Sequence, residues 1–104
     1  MENFVIKNIG ENIYQEIENI GYDKSYIFEA CKKFKYKNFK ILDLIPAQAN
    51  ILKQLALSVG ADCATHKNVI TGNIDISNCI LGGSISQLKK ISQKLKYQPL
   101  ILKN

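Results

Sequence analysis

The sequence contains no arginine: all fourteen of its basic residues are lysine. That removes the planar bidentate fork that usually reads phosphates and guanine edges, and leaves ammonium point charges. No apolar run approaches the roughly 18–20 residues needed to span a bilayer. The first residues, Met1-Glu2-Asn3, lack the basic and apolar regions of a signal peptide, so the expected location is cytoplasmic. The three cysteines, Cys31, Cys63 and Cys79, are far apart and show no C-x-x-C spacing. This argues against a disulfide framework or a zinc site, and the cysteines read as small buried residues, one in a helix and two in strands. There is no P-loop spacing (G-x-x-x-x-G-K-S/T), no G-x-G-x-x-G, no internal repeat and no low-complexity linker.

What is present is an ordinary globular composition, 46% hydrophobic and 22% charged over 104 residues, which sets the expectation of a single domain over residues 1–104. The net charge of +5 is uneven. Residues 1–36 hold five lysines against six acids, and residues 37–104 hold nine against three.

Phe4-Val5-Ile6 predicts a first short strand. Ile13, Ile17 and Ile20 recur at helical spacing, and Gly21 closes that helix. Asp23 caps the next helix, whose apolar face is Ile27, Ala30, Cys31 and Phe34 and whose last turn is lysine-rich. Phe39 to Ile45 reads as a central strand covered on both faces. Pro46 opens a helix over 47–59 with Ile51, Leu52, Leu55, Ala56 and Val59 as its apolar stripe, and Gly60 ends it. Residues 61–65 are the next strand, 68–71 pair with it or continue it after a kink, Gly72-Asn73 turn the chain, and 75–78 are a turn or a helical turn. Cys79-Ile80-Leu81 is a buried strand, Gly82-Gly83 a turn, and Ser84 with Gln87 a capping box. The helix it opens turns Ile85, Leu88, Ile91 and Leu95 inward, with Lys89, Lys90, Lys94 and Lys96 outside. Pro99 ends that element, and Leu100-Ile101-Leu102 form a last extended piece.

The resulting order, β-α-α-β-α-β-β-β-α-β, predicts a small α/β domain with a mixed, mostly parallel sheet and helices packed on it.

Gly82, Gly83 and Ser84 at the head of a helix are the candidate anion site, since free amides and the helix dipole favour phosphate or carboxylate there. The ordinary alternative is a tight turn with a cap. His66, the only histidine, has Asp62 and Cys63 nearby but no triad spacing, and reads better as a surface turn residue than as a general base. Asp43 and Asp62 lie in or beside strands, as functional acids or as exposed edge residues. The five tyrosines are scattered and make no evident stacking platform. No catalytic residue, metal site or cofactor is assigned. Asn50, Lys53, Gln54, Asp62 and Thr65 are polar positions that packing does not demand, and they are the candidate partner surface. On residues alone, the alternative function is a free-standing basic module binding RNA or an anionic ligand through residues 37–104.

The string Asn50 to His66, N-I-L-K-Q-L-A-L-S-V-G-A-D-C-A-T-H, resembles the N-terminal extension of long-form bacterial dihydropteroate synthases. The agreement continues through Ile80-Leu81-Gly82 and Ser86-Gln87-Leu88. It then enters residues 98–104, where a similar Gln-Pro-Phe-Gly-Leu-Lys-Asn segment leads toward the family's catalytic barrel. Here Leu100-Ile101 replace Phe-Gly. That barrel usually needs about 250 residues, and none of its catalytic motifs is present, so no catalytic residue carries over. The resemblance implies a non-catalytic accessory domain in folate biosynthesis. It implies packing on the synthase barrel in cis, self-association that helps the barrel dimerise, or regulation by shaping access to the barrel's active site.

Overall fold

The computed structural model describes residues 4–98. Helix α1 (Ile13–Asn19) leads through a 3₁₀ turn (Lys24–Tyr26) into α2 (Ile27–Cys31). Strand β1 (Tyr36–Leu44), helix α3 (Pro46–Ser58), strands β2 (Asp62–Ala64) and β3 (Ser77–Ser84), and helix α4 (Ile85–Leu95) follow.

The domain is α/β as its alternation predicts, but its sheet is not mostly parallel. The strand order is β1-β3-β2 and both pairings are antiparallel. The crossover β1-α3-β2 exists, and β1 and β2 do run in the same direction. They never pair, because β3 fills the slot between them after returning through the loop 65–76. Adjacency in the sheet is a long-range property, and local alternation does not encode which strand takes the middle position.

Other expectations are corrected as well. Phe4-Val5-Ile6 forms no strand and has no strand partner among the described residues. Residues 68–71 are turns rather than strand; Val69 is buried while Ile70 is exposed. The expected turn at 75–78 gives way to strand at Ser77, and Gly82-Gly83 lie within β3 rather than in a turn. Phe34, expected on the apolar face of α2, is exposed. Pro99 and the extended piece at 100–102 lie outside the described residues, as does nearly all of the linker-like segment 98–104.

Helix α3 forms where the apolar stripe and Pro46 place it. Its end is a Schellman turn: the Ala61 N–H donates to Ala56 O at 2.9 Å, and Gly60 adopts φ +80°. A side chain at Gly60 would strain that left-handed turn.

The main core gathers Leu52 and Ala56 of α3, Cys63 of β2, Cys79 and Leu81 of β3, Ile91 of α4, and the buried loop residue Val69. Strand β1 reaches this core by an irregularity. Ile41 pairs with Cys79 and Leu44 with Ser77, so Leu42 and Asp43 together face the single residue Asn78. Asp43 takes φ +59°, and its N–H donates to Asn78 Oδ1 at 3.1 Å. This bulge brings Leu44 back to the core side, where Ile41 already points; plain alternation would send it outward.

The capping box at Ser84 is present in full. The Gln87 N–H donates to Ser84 Oγ at 3.1 Å, and Gln87 Oε1 accepts from the Ser84 N–H at 2.9 Å. Gln87 Nε2 also donates to Val59 O at 3.2 Å, tying α4 to the end of α3. Gln87→Ala removes two of these bonds and leaves the Ser84 amide without its acceptor in a part-buried place. A cost of about 1–2 kcal/mol is expected. Chemical denaturation measures it, and no fall in midpoint would mean that the box contributes nothing.

A second, smaller cluster joins Ile17 of α1 to Ile27 and Ala30 of α2. The molecule is elongated, with a Cα radius of gyration of 17.5 Å against about 13 Å for a compact domain of this length.

Candidate functional site

At the candidate anion site of Gly82, Gly83 and Ser84, the amides of the helix start are already taken. The Ser84 N–H is bonded to Gln87 Oε1 and the Gln87 N–H to Ser84 Oγ. The Ile85 N–H donates to Lys35 O at 2.9 Å and the Ser86 N–H to Lys32 O at 3.1 Å. The start of α4 is thus docked on the end of α2, and every donor an anion would need there is taken. The glycines serve packing instead. A Cβ on Gly82 would collide with Asn38 Oδ1, and one on Gly83 would stand 3.1 Å from Ala61 Cβ.

The five polar residues of the candidate partner surface do not act as one group. Asn50 Nδ2 donates to Val69 O at 3.2 Å and pins the 65–76 loop, a structural role. Lys53 and Thr65 are half-buried and Gln54 is exposed. Asp62 is exposed, and its Oδ1 accepts from the Cys63 N–H at 2.7 Å. His66 organises its turn: Nδ1 accepts from the Asn68 N–H at 3.0 Å, while its own N–H donates to Ser77 Oγ at 3.1 Å.

The cysteines are free and Cys63 and Cys79 are buried. Burial pushes the Cys63 thiol from 9.0 up to about 11, with the neighbouring Cys79 adding to the shift. Burial likewise raises Cys79. Both are protonated near neutrality and make poor nucleophiles. The folded state therefore holds the Cys63 proton to higher pH than the unfolded chain does. This stabilisation is whole below the unfolded value of 9.0 and is lost as pH rises toward 11. The urea midpoint of the wild type should fall more steeply across that interval than that of Cys63→Ala; parallel profiles would contradict it. Among the described residues, no group of three or more His, Cys, Asp or Glu side chains is placed to hold a metal ion.

Two further surfaces lie among the described residues. The first is the sheet face away from α3 and α4. Cross-strand partners share a face, so the register places Asn38, Gly82 and Asp62 in one row and Lys40, Ile80 and Ala64 in the next. Tyr36 lies over Gly82, and Leu42 extends the face at the bulge. No helix covers it: Leu42 is 60% exposed, Tyr36 59% and Ile80 43%. The expectation that β1 is covered on both faces is therefore corrected. A nearly continuous apolar run implied two covered faces, yet only one is.

The second surface is a cleft of about 480 Å³ between the 3₁₀ turn with α2 and helix α4, lined by Tyr22, Tyr26, Lys32, Lys33, Lys89 and Lys90. Glu29 lies in it and pairs with Lys32 at 3.0 Å. The hydrogen bond holds the Glu29 carboxyl below its usual value and the Lys32 ammonium above its own. Sequence reasoning missed this cleft. It assigned the α2 lysines to a helix end and the α4 lysines to solvent, and only the docking of α4 on α2 brings them together. Two Lys-Lys pairs and two tyrosines four residues apart were the available signal.

No helix among the described residues is long and apolar enough to cross a membrane. Compared with known protein families, characterised proteins and solved structures, the chain matches none.

Proposed function

We propose that this chain is a non-catalytic accessory domain of a cytoplasmic, dihydropteroate synthase-like protein of folate biosynthesis, and that its uncovered sheet face packs on the catalytic barrel. The observation that carries the reading is that face. It exposes Leu42, Ile80, Ala64 and the ring of Tyr36, with Lys40 among them on β1 and Asp62 on β2. Uncovered apolar and aromatic side chains gathered on one face mark a protein–protein interaction surface. The Asn50–His66 string and the linker-like end supply the barrel as the occupant.

Deletion of residues 1–104 from a full-length parent tests the reading. The expected result is lost solubility or an altered oligomeric state. Unchanged solubility, assembly and steady-state kinetics would overturn it, and a dimer of the isolated domain formed through the sheet face would replace the barrel with a second copy.

A further inference from the structure

The cleft between α2 and α4 concentrates positive charge that the fold does not neutralise. Four lysines face one carboxylate, a formal excess of three charges. Glu29 is committed to Lys32, and among the described residues Lys33, Lys89 and Lys90 have no carboxylate within ion-pair distance. Two backbone bonds, from Ile85 to Lys35 and from Ser86 to Lys32, hold the two lysine pairs on facing walls. Like charges gathered this way repel one another until an anion enters. Ammonium groups without arginine forks suit phosphate oxygens as point charges, and several separated ammoniums call for several phosphates. Tyr22 precedes the 3₁₀ turn and Tyr26 ends it, and together they give the cleft an aromatic wall, while Ser86 and Gln93 contribute neutral hydrogen-bonding side chains. The volume falls in the range of about 300–1,000 Å³ typical of small-molecule sites.

We propose that this cleft binds a nucleoside di- or triphosphate, its phosphates between Lys33, Lys89 and Lys90 and its base against Tyr22 and Tyr26. The site shares no residue with the uncovered sheet face, so it stands or falls independently of the accessory-domain reading.

Titration calorimetry of the whole chain at low salt tests it, with ATP, inorganic tripolyphosphate and a single-stranded ten-nucleotide RNA as probes. ATP should bind more tightly than tripolyphosphate, because stacking adds to charge, and its affinity should fall with salt. Lys89→Glu with Lys90→Glu should weaken ATP by about tenfold or more, whereas Lys67→Glu with Lys96→Glu, an equal charge change outside the cleft, should weaken it by less than about threefold. Lys33→Gln gives a milder check from the opposite wall, with circular dichroism confirming the fold of each variant. Tyr26→Leu should weaken ATP but not tripolyphosphate. The proposal is overturned if ATP does not bind, if both charge-reversed pairs weaken it equally, or if Tyr26→Leu leaves it unchanged. RNA binding more than about tenfold tighter than ATP would overturn the ligand class.

Discussion

Replacing Leu42 and Ile80 together with glutamate is expected to abolish packing on the barrel while leaving the isolated domain folded. Both side chains lie on the uncovered face, on neighbouring strands, and both are substantially exposed. In the free domain the change exchanges exposed apolar surface for exposed charge, which costs within about 1 kcal/mol, chiefly through strand preference. In the docked state each apolar side chain loses about 1.5 kcal/mol of burial. Two of them correspond to roughly a hundredfold in affinity, and the carboxylates add the penalty of burying unpaired charge. The measurement pairs a thermal melt of the variant with its affinity for the separately expressed barrel. Unchanged affinity would remove these residues from the interface, whereas a collapsed melt would mean that the face is part of the core.

Leu52→Ala is expected to have the largest effect on stability. Leu52 is 4% exposed and lies among Ala56, Cys63, Val69, Cys79 and Ile91 in the main cluster. Truncating a packed leucine costs about 3 kcal/mol in lost burial and residual cavity, a large share of the roughly 5–15 kcal/mol that holds a domain together. With a urea slope near 2 kcal/mol per molar, the midpoint should fall by about 1.5 M. A fall below about 0.5 M would mean that the site closes around the smaller side chain. Ile27→Ala provides the contrast. Ile27 belongs to the small α1–α2 cluster, so its loss should release those helices to hydrogen exchange before the sheet opens.

Local features were legible in the sequence because neighbouring residues determine them. The α3 stripe, its stop at Gly60, the Ser84–Gln87 box and the inward Ile91 all follow from short-range spacing. What the sequence hid depends on distant partners. Gly82-Gly83 look like a turn, yet their small size admits Asn38 and Tyr36 on one side and Ala61 and Gln87 on the other. The Leu42–Asp43 bulge answers to Asn78, far along the chain, and without it the side chosen by Leu44 is misread. Phe4-Val5-Ile6 has strand-forming residues but no strand partner among the described residues, and a strand needs one. For the sites, packing accounts for the glycine-rich segment and for Asn50. The lysine cleft emerges only when α4 docks on α2.

Hydrogen exchange of the domain, alone and mixed with the barrel, tests the central claim most directly. Docking through the sheet face predicts slowed exchange in the segments that carry it, residues 36–40 of β1 and Asp62–Ala64 of β2. Leu42 and the following residues of the bulge should be slowed as well, with α3 and α4 unchanged. Slowing confined to the α3–α4 side, or none at all, would contradict it.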